Sequence, residues 1–246
     1  MSAVLVIAPS WVGDMVMAQS LFMVLKTADA GRPVDVLAPG WTLPLLQRMP
    51  QVRNAIEMPL GHGELRLGER RRLGAGLRGS GYSQAIVLPN SFKSALIPYW
   101  ARIPQRTGYV GEMRQWLLND SRRLDRQRLP MTVQRFVALG LQDGAPLPDP
   151  VPYPGLHASP AHGQQAAQRL GVDAARAPVL ALCPGAEFGP AKQWPEAYYA
   201  EIARVWIEQG WQVWLFGSAN DAAVCGRIAA AAGSGCASLA GRTSLE

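Results

Sequence analysis

Lysine is scarce in this chain: Lys26, Lys93 and Lys192 are the only ones among 24 basic residues, the rest being arginine. Cysteine is scarce too. Cys183, Cys225 and Cys236 are odd in number and lack CxxC spacing, which argues against a disulfide framework and a cysteine-ligated zinc site and points to a reducing compartment. Charged residues make up 17% of the chain against 48% hydrophobic, so it is neither a disordered acidic chain nor a collagen-like polymer. No long hydrophobic run exists: the opening stretch to Pro9 has no basic leader or cleavage site, and its apolar run is too short for a signal peptide or membrane span. Also missing are GxxxxGK[ST], HExxH, GxSxG, internal repeats and low-complexity tracts. His62, His157 and His162 are too scattered for a triad or metal cluster, so P-loop and metalloprotease chemistry are unsupported.

What is present is a globular chain of 246 residues, enough for one large domain or two small ones. Its net charge of +6 and pI near 9.6 favour anionic partners. Nucleic acid is not among those expected, because no aromatic-interleaved basic stretch or helix-turn-helix accompanies the charge.

Hydrophobic runs and helical periodicity alternate along the chain. Strands are expected at Val4–Ala8, Val34–Ala38, near Ile56, at Ala85–Leu88 and at Thr107–Val110, with helices at Asp14–Lys26, Leu43–Arg48, Glu64–Arg78, Lys93–Trp100 and Thr132–Gly140. The segment Gln142–Pro160 carries six prolines and reads as a linker. After it the alternation restarts, with helices near Gln164–Leu170, at Pro195–Gln209 and at Asp221–Ala232, and strands at Val179–Cys183, Gln212–Phe216 and near Ser238. Such alternation implies an α/β fold of two Rossmann-like parallel-sheet domains, 1–155 and 156–246, facing a cleft at the carboxyl ends of their strands. With about three strands, the second domain is expected to be incomplete and the chain to be a fragment or truncated product.

Gly74-Ala-Gly76-Leu-Arg-Gly79 matches GxGxxG, yet it follows the basic run Glu69-Arg-Arg-Arg72 and precedes a strand, the wrong context for a dinucleotide site. Two other loops carry more. Pro9-Ser10-Trp11-Val12-Gly13-Asp14 opens the first helix: Ser10 or Asp14 could cap it, or Asp14 could serve as a carboxylate base toward a hydroxyl. Cys183-Pro-Gly185-Ala-Glu187-Phe-Gly189-Pro-Ala-Lys192-Gln-Trp194-Pro195 lies between a strand and a helix. It is either a Gly/Pro-rich connector with a solvated lysine or a diphosphate cradle built from glycine backbone, helix-start amides and Lys192. Trp194, Trp206, Trp211 and Trp214 read mainly as packing residues rather than a sugar-stacking platform.

The stretches Pro9–Met15, Met58–Gly63, Leu88-Pro-Asn-Ser-Phe-Lys-Ser-Ala-Leu96 and Cys183–Pro195, followed in register by Leu215–Ala219 and Leu239–Gly241, closely resemble the lipopolysaccharide heptosyltransferase II family. The resemblance implies a GT-B glycosyltransferase that moves L-glycero-D-manno-heptose, with inversion, from ADP-heptose to the first inner-core heptose of a Kdo-lipid A acceptor. It implies Asp14 as general base, Lys192 on the donor phosphates, and Gly185, Glu187 and Gly189 on the donor side. No cofactor is expected beyond the ADP-heptose donor and, since no metal-ligand cluster is visible, no metal; positive side chains and helix ends are expected to hold the diphosphate. A further family motif, an Asp-Ser-Gly and His-bearing loop, lies beyond this chain's end, so the chain alone is expected to be inactive or nearly so.

Ser10, Lys93, Arg71, Arg72 and Arg122 are expected on the acceptor side. Arg66, Arg70, Arg123, Arg126 and Arg128 extend this basic group, whose members are otherwise solvated helix faces. As a group they could meet acidic Kdo, phosphate or anionic lipid, which implies a cytoplasmic protein in peripheral contact with the inner face of the inner membrane. The rival expectations are a non-catalytic fragment that binds a nucleotide sugar or anionic glycolipid, and heptosyltransferase I.

Overall fold

The computed structural model describes residues 2–61, 63–186 and 189–245. Two compact units divide at His157 and Ala158, two residues beyond the boundary expected from sequence.

The first unit is built on six parallel strands: β1 (Ala3–Ile7), β2 (Val34–Pro39), β3 (Asn54–Met58), β4 (Tyr82–Val87), β5 (Gln105–Tyr109) and β6 (Asp120–Arg122). Their order is β3-β2-β1-β4-β5-β6. The helices are α1 (Val12–Ala28), α2 (Leu43–Gln47), α3 (Leu67–Gly76), α4 (Phe92–Trp100) and α5 (Thr132–Gly140). β1 is buried throughout because both its faces are covered. Val4 and Val6 pack into a core with Met15, Ala18, Leu21, Phe22 and Leu25 of α1 and with Phe136 and Leu139 of α5. Leu5 and Ile7, pointing the other way, pack with Ala95 and Ile97 of α4. This is the pattern of a central parallel strand.

Two local readings change. The helix expected over Glu64–Arg78 is shorter, because Arg66 takes a left-handed conformation (φ 35) that cannot continue a helix. Three-residue β6 carries no periodic signal and has no counterpart among the expected strands. Of the GxGxxG glycines, already in the wrong context for a dinucleotide site, Gly74 serves helix packing: a Cβ there would lie 2.7 Å from the Ile97 carbonyl, so the glycine lets α3 approach α4.

The proline-rich segment has no regular element up to Ser159, but it is not free-hanging. The buried Ser20 donates to the Pro152 carbonyl at 2.6 Å, and buried Gln19 exchanges two 2.9 Å hydrogen bonds with the backbone of Gly155. The His157 amide donates to the Arg48 carbonyl at 2.9 Å. Side-chain amides and hydroxyls on α1 thus tie the segment to the first unit.

The second unit contains β7 (Val179–Leu182), β8 (Gln212–Leu215) and β9 (Cys236–Ser238), parallel and in that order, with α6 (Pro160–Leu170), α7 (Glu196–Glu208) and α8 (Ala222–Ala232). Its core joins Ala200 and Ala203 of α7, Val213 and Leu215 of β8, and Cys225 and Ile228 of α8. All three cysteines are free thiols. Trp206 packs edge-on against Trp211 at 4.5 Å, in keeping with a packing role, and Trp194, though 45% exposed, packs against Tyr198 and Tyr199 of α7 at 5.3 and 5.1 Å.

Near the start of β2, the Asp35 carboxylate accepts from Arg53 Nε and Nη2 (2.9 and 2.5 Å) and from the Tyr82 hydroxyl (2.7 Å). Burial alone would raise its pKa, but Arg53 and Tyr82 outweigh that and hold it below the ordinary carboxylate range. A native value below the unfolded one adds stability that is present above the unfolded value and is lost as pH falls through the native one. Asp35→Ala should therefore lower unfolding free energy by about 1–3 kcal/mol at neutral pH. Urea midpoints should show that gap shrinking on acidification.

Candidate functional site

In the first unit the strand order reverses between β1 and β4, and connections leaving a reversal point diverge to form a crevice at the carboxyl ends of the strands. The two segments that border it are Ala8–Trp11, entering α1, and Leu88–Ser91, entering α4. Asp14 sits in the first turn of α1. The N-cap position is Trp11 and no side chain caps it, so neither Ser10 nor Asp14 performs the capping that the sequence left open. Ser10 is half-buried, and its carbonyl accepts from the Trp41 indole at 3.1 Å. Asp14 is half-buried, and among the described residues no side chain or amide donates to its carboxylate. Burial pushes its pKa above the ordinary aspartate value. The positive end of α1 pulls the other way. A carboxylate left without donors at a crevice rim is available to take a proton.

The basic residues divide sharply. Arg71 and Arg72 are exposed on α3, Arg72 lining a shallow depression with Pro59, Leu73 and Leu77. Lys93 is half-buried in the first turn of α4. Arg122, expected on the acceptor side, is a correction. It is 6% exposed and its guanidinium is occupied by Asp120 (2.9 Å) and by the carbonyls of Ala138 (2.7 Å) and Leu141 (2.9 Å). It fastens α5 to the sheet edge. Arg70 is likewise internal, donating to the carbonyls of Glu64, Leu65 and Lys93, and Arg66 is paired with Glu64 and Glu69. Arg123 and Arg126 remain exposed, while Arg128 donates to the carbonyls of Gly144 and Ala145.

In the second unit the loop leaving β7 is shaped by its glycines. A Cβ on Gly185 would lie 2.3 Å from the Asp221 carboxylate, which itself accepts from the Ser218 amide and hydroxyl at 2.7 Å each. Gly189 holds φ +77, a conformation that glycine adopts without strain. One 3-10 turn, Pro190–Lys192, follows, with the Lys192 amide donating to the Gly189 carbonyl at 3.2 Å. The Lys192 side chain is exposed and, among the described residues, has no carboxylate partner. Glu187 lies outside the described residues. α7 then begins at Glu196 with no side-chain cap; the Tyr198 and Tyr199 amides donate to the Pro195 carbonyl at 3.1 and 3.5 Å, and among the described residues those of Glu196 and Ala197 stay open. A cation beside close-approach backbone and open amides can hold an oxyanion such as a phosphate. Among the described residues no three His, Cys, Asp or Glu side chains gather as a metal cluster.

Comparison with known proteins yields a consistent match. Residues 70–246 fit the model of glycosyltransferase family 9 (heptosyltransferase). Lipopolysaccharide heptosyltransferase 2 of Salmonella typhimurium is 51% identical, the match covering 99% of this chain and 72% of that protein. The Escherichia coli protein of the same name is 49% identical with the same coverage. Among solved structures, that of E. coli ADP-heptose LPS heptosyltransferase II superposes with a TM-score of 0.92 at 46% identity, covering 100% of this chain and 74% of that one.

Proposed function

The chain belongs to glycosyltransferase family 9 (heptosyltransferase), a GT-B glycosyltransferase of lipopolysaccharide core assembly, and we propose that it moves L-glycero-D-manno-heptose from ADP-heptose to the first heptose of a Kdo-lipid A inner core. The observation that carries this reading is the identity of about half the residues, across 99% of the chain, to proteins named lipopolysaccharide heptosyltransferase 2.

In this reading Asp14 takes the proton of the acceptor hydroxyl as its oxygen bonds to the anomeric carbon. The bond from that carbon to the diphosphate oxygen breaks, and ADP leaves. Lys192 and the backbone around Gly185 and Gly189 take up the charge that develops on the leaving diphosphate, where fixed positive groups lower the barrier most. A single displacement inverts the anomeric centre. No cofactor beyond the donor is assigned.

Ser10, Lys93, Arg71 and Arg72 face the acceptor, and the two exposed arginines meet its acidic Kdo and phosphate groups. Arg71→Ala with Arg72→Ala should raise the acceptor KM about three- to tenfold and leave the donor KM unchanged, as read from initial rates at two salt concentrations, with the effect weakening as salt rises. Unchanged acceptor kinetics would remove these residues from the acceptor side. We place the enzyme at the cytoplasmic face of the inner membrane, where its lipid-linked acceptor would lie; among the described helices none is long and apolar enough to cross a membrane.

The function is tested by ADP release in the full gene product, with ADP-heptose offered against Kdo-lipid A that carries or lacks the first heptose. Release that requires the heptosylated acceptor supports the reading. Preference for the unheptosylated acceptor would make the enzyme a heptosyltransferase I, and binding of donor without release would make it a binding protein.

A further inference from the structure

Among the described residues Arg114 is the bulkiest side chain with essentially no solvent exposure, and nothing in the sequence singles it out. It lies in the loop between β5 and β6. No carboxylate stands within ion-pair distance among the described residues; its charge is met almost entirely by carbonyl oxygens. Nε and Nη2 donate to the Tyr109 carbonyl at 3.0 and 2.8 Å. Nη1 donates to the carbonyls of Pro89 and Ser91 and to Ser94 Oγ, the last at 2.9 Å. Nη2 also reaches the Asn90 side-chain oxygen at 3.3 Å.

Pro89, Asn90 and Ser91 are consecutive, and they form the turn that leaves β4 and opens α4 at Phe92, one residue before Lys93. The same β5–β6 loop grips that turn twice more. Glu112 Oε2 accepts from the Phe92 amide at 2.7 Å, and Gly111 lies so close that a Cβ there would be 2.7 Å from the Asn90 carbonyl. Glu112 and Met113 hold φ of 40 and 53, left-handed values uncommon outside glycine and costly to maintain. Burial pulls the Arg114 pKa down to about 10, so the group stays cationic at neutral pH. Burying a guanidinium without an anionic partner costs more than filling the space with an apolar side chain. What the guanidinium adds is a planar fork of five donors that no apolar residue supplies; three of its six hydrogen bonds go to three consecutive residues of one turn, two to Tyr109 and one to Ser94.

We propose that Arg114 is a positioning residue of the transfer reaction, holding the Pro89–Ser91 turn so that Lys93 is presented to the acceptor. This rests on the acceptor-side reading of Lys93.

Arg114→Lys keeps the charge but loses the fork. It should raise the acceptor KM about tenfold, leave the donor KM within about twofold, and speed amide hydrogen exchange at Phe92 and Ser94. Glu112→Ala, at an exposed position, should shift the acceptor KM the same way by a smaller factor, and it decides the matter if Arg114→Lys does not fold. Combined with Lys93→Ala, Arg114→Lys should add less than its separate factor, since both act through one side chain. If Lys93→Ala raises the acceptor KM while Arg114→Lys and Glu112→Ala leave it unchanged, Arg114 is merely structural and the proposal is overturned. If Lys93→Ala itself leaves the acceptor KM unchanged, the acceptor-side reading fails and takes the proposal with it.

Discussion

Asp14→Asn should lower kcat by about 10²–10⁴-fold, the usual contribution of a positioned general base, while the donor KM stays within about twofold. The split follows from geometry. Asp14 sits at the rim of the first unit's crevice with no donor satisfying it among the described residues, and the groups assigned to the sugar donor are in the second unit. Asparagine keeps the shape and loses the capacity to accept a proton. A near-normal kcat would remove the base assignment.

Stability offers an independent check on the same residue. Because burial raises the Asp14 pKa above its unfolded value, the native state binds that proton more tightly. The stability this group supplies is full below the unfolded value and is lost as pH rises through the native one. An asparagine side chain in its place has no charge to desolvate, so the Tm of Asp14→Asn at neutral pH should exceed that of the parent by about 1–3 °C. The difference should close toward the ordinary carboxylate range. A lower Tm would mean that the carboxylate has stabilising partners after all.

Lys192→Ala should lower kcat/KM for ADP-heptose by about 10²-fold or more, by removing a full positive charge from a diphosphate whose own charge grows as it leaves. Part of the loss should appear in the donor KM and part in kcat, with the acceptor KM unaffected. Arginine restores charge but not the compact ammonium, so Lys192→Arg should recover only a fraction. Donor kinetics untouched by Lys192→Ala would return the β7–α7 loop to the status of a connector.

Sequence made the fold legible where burial is two-sided. β1, β2 and β4 read as apolar runs because both faces of a central parallel strand are covered, and α1 shows its stripe at Met15, Ala18, Phe22 and Leu25. β6 escapes notice because three edge residues, Asp120-Ser-Arg122, carry no apolar pattern and are held by polar side chains. The motif loops are legible as positions at strand ends. What could not be read was which cations point outward. Arg70, Arg71 and Arg72 are consecutive on α3, and the helical turn sends the first inward to carbonyls and leaves the others in solvent. Arg114 and Arg122 look like surface charge in a loop and a polar run, and only three-dimensional neighbours reveal them as internal fasteners. The capping reading of Ser10 and Asp14 was equally open in sequence, and the backbone start at Val12, with Trp11 as N-cap, decided against it.

The proposed transfer is one displacement at the anomeric carbon, with a hydroxyl entering as ADP leaves. The configuration of the transferred heptose, read by nuclear magnetic resonance on product made from a donor of defined anomeric form, tests this most directly. Inversion relative to the donor is the expected result. Retention would require two displacements or a same-face return, and would contradict the role given to Asp14.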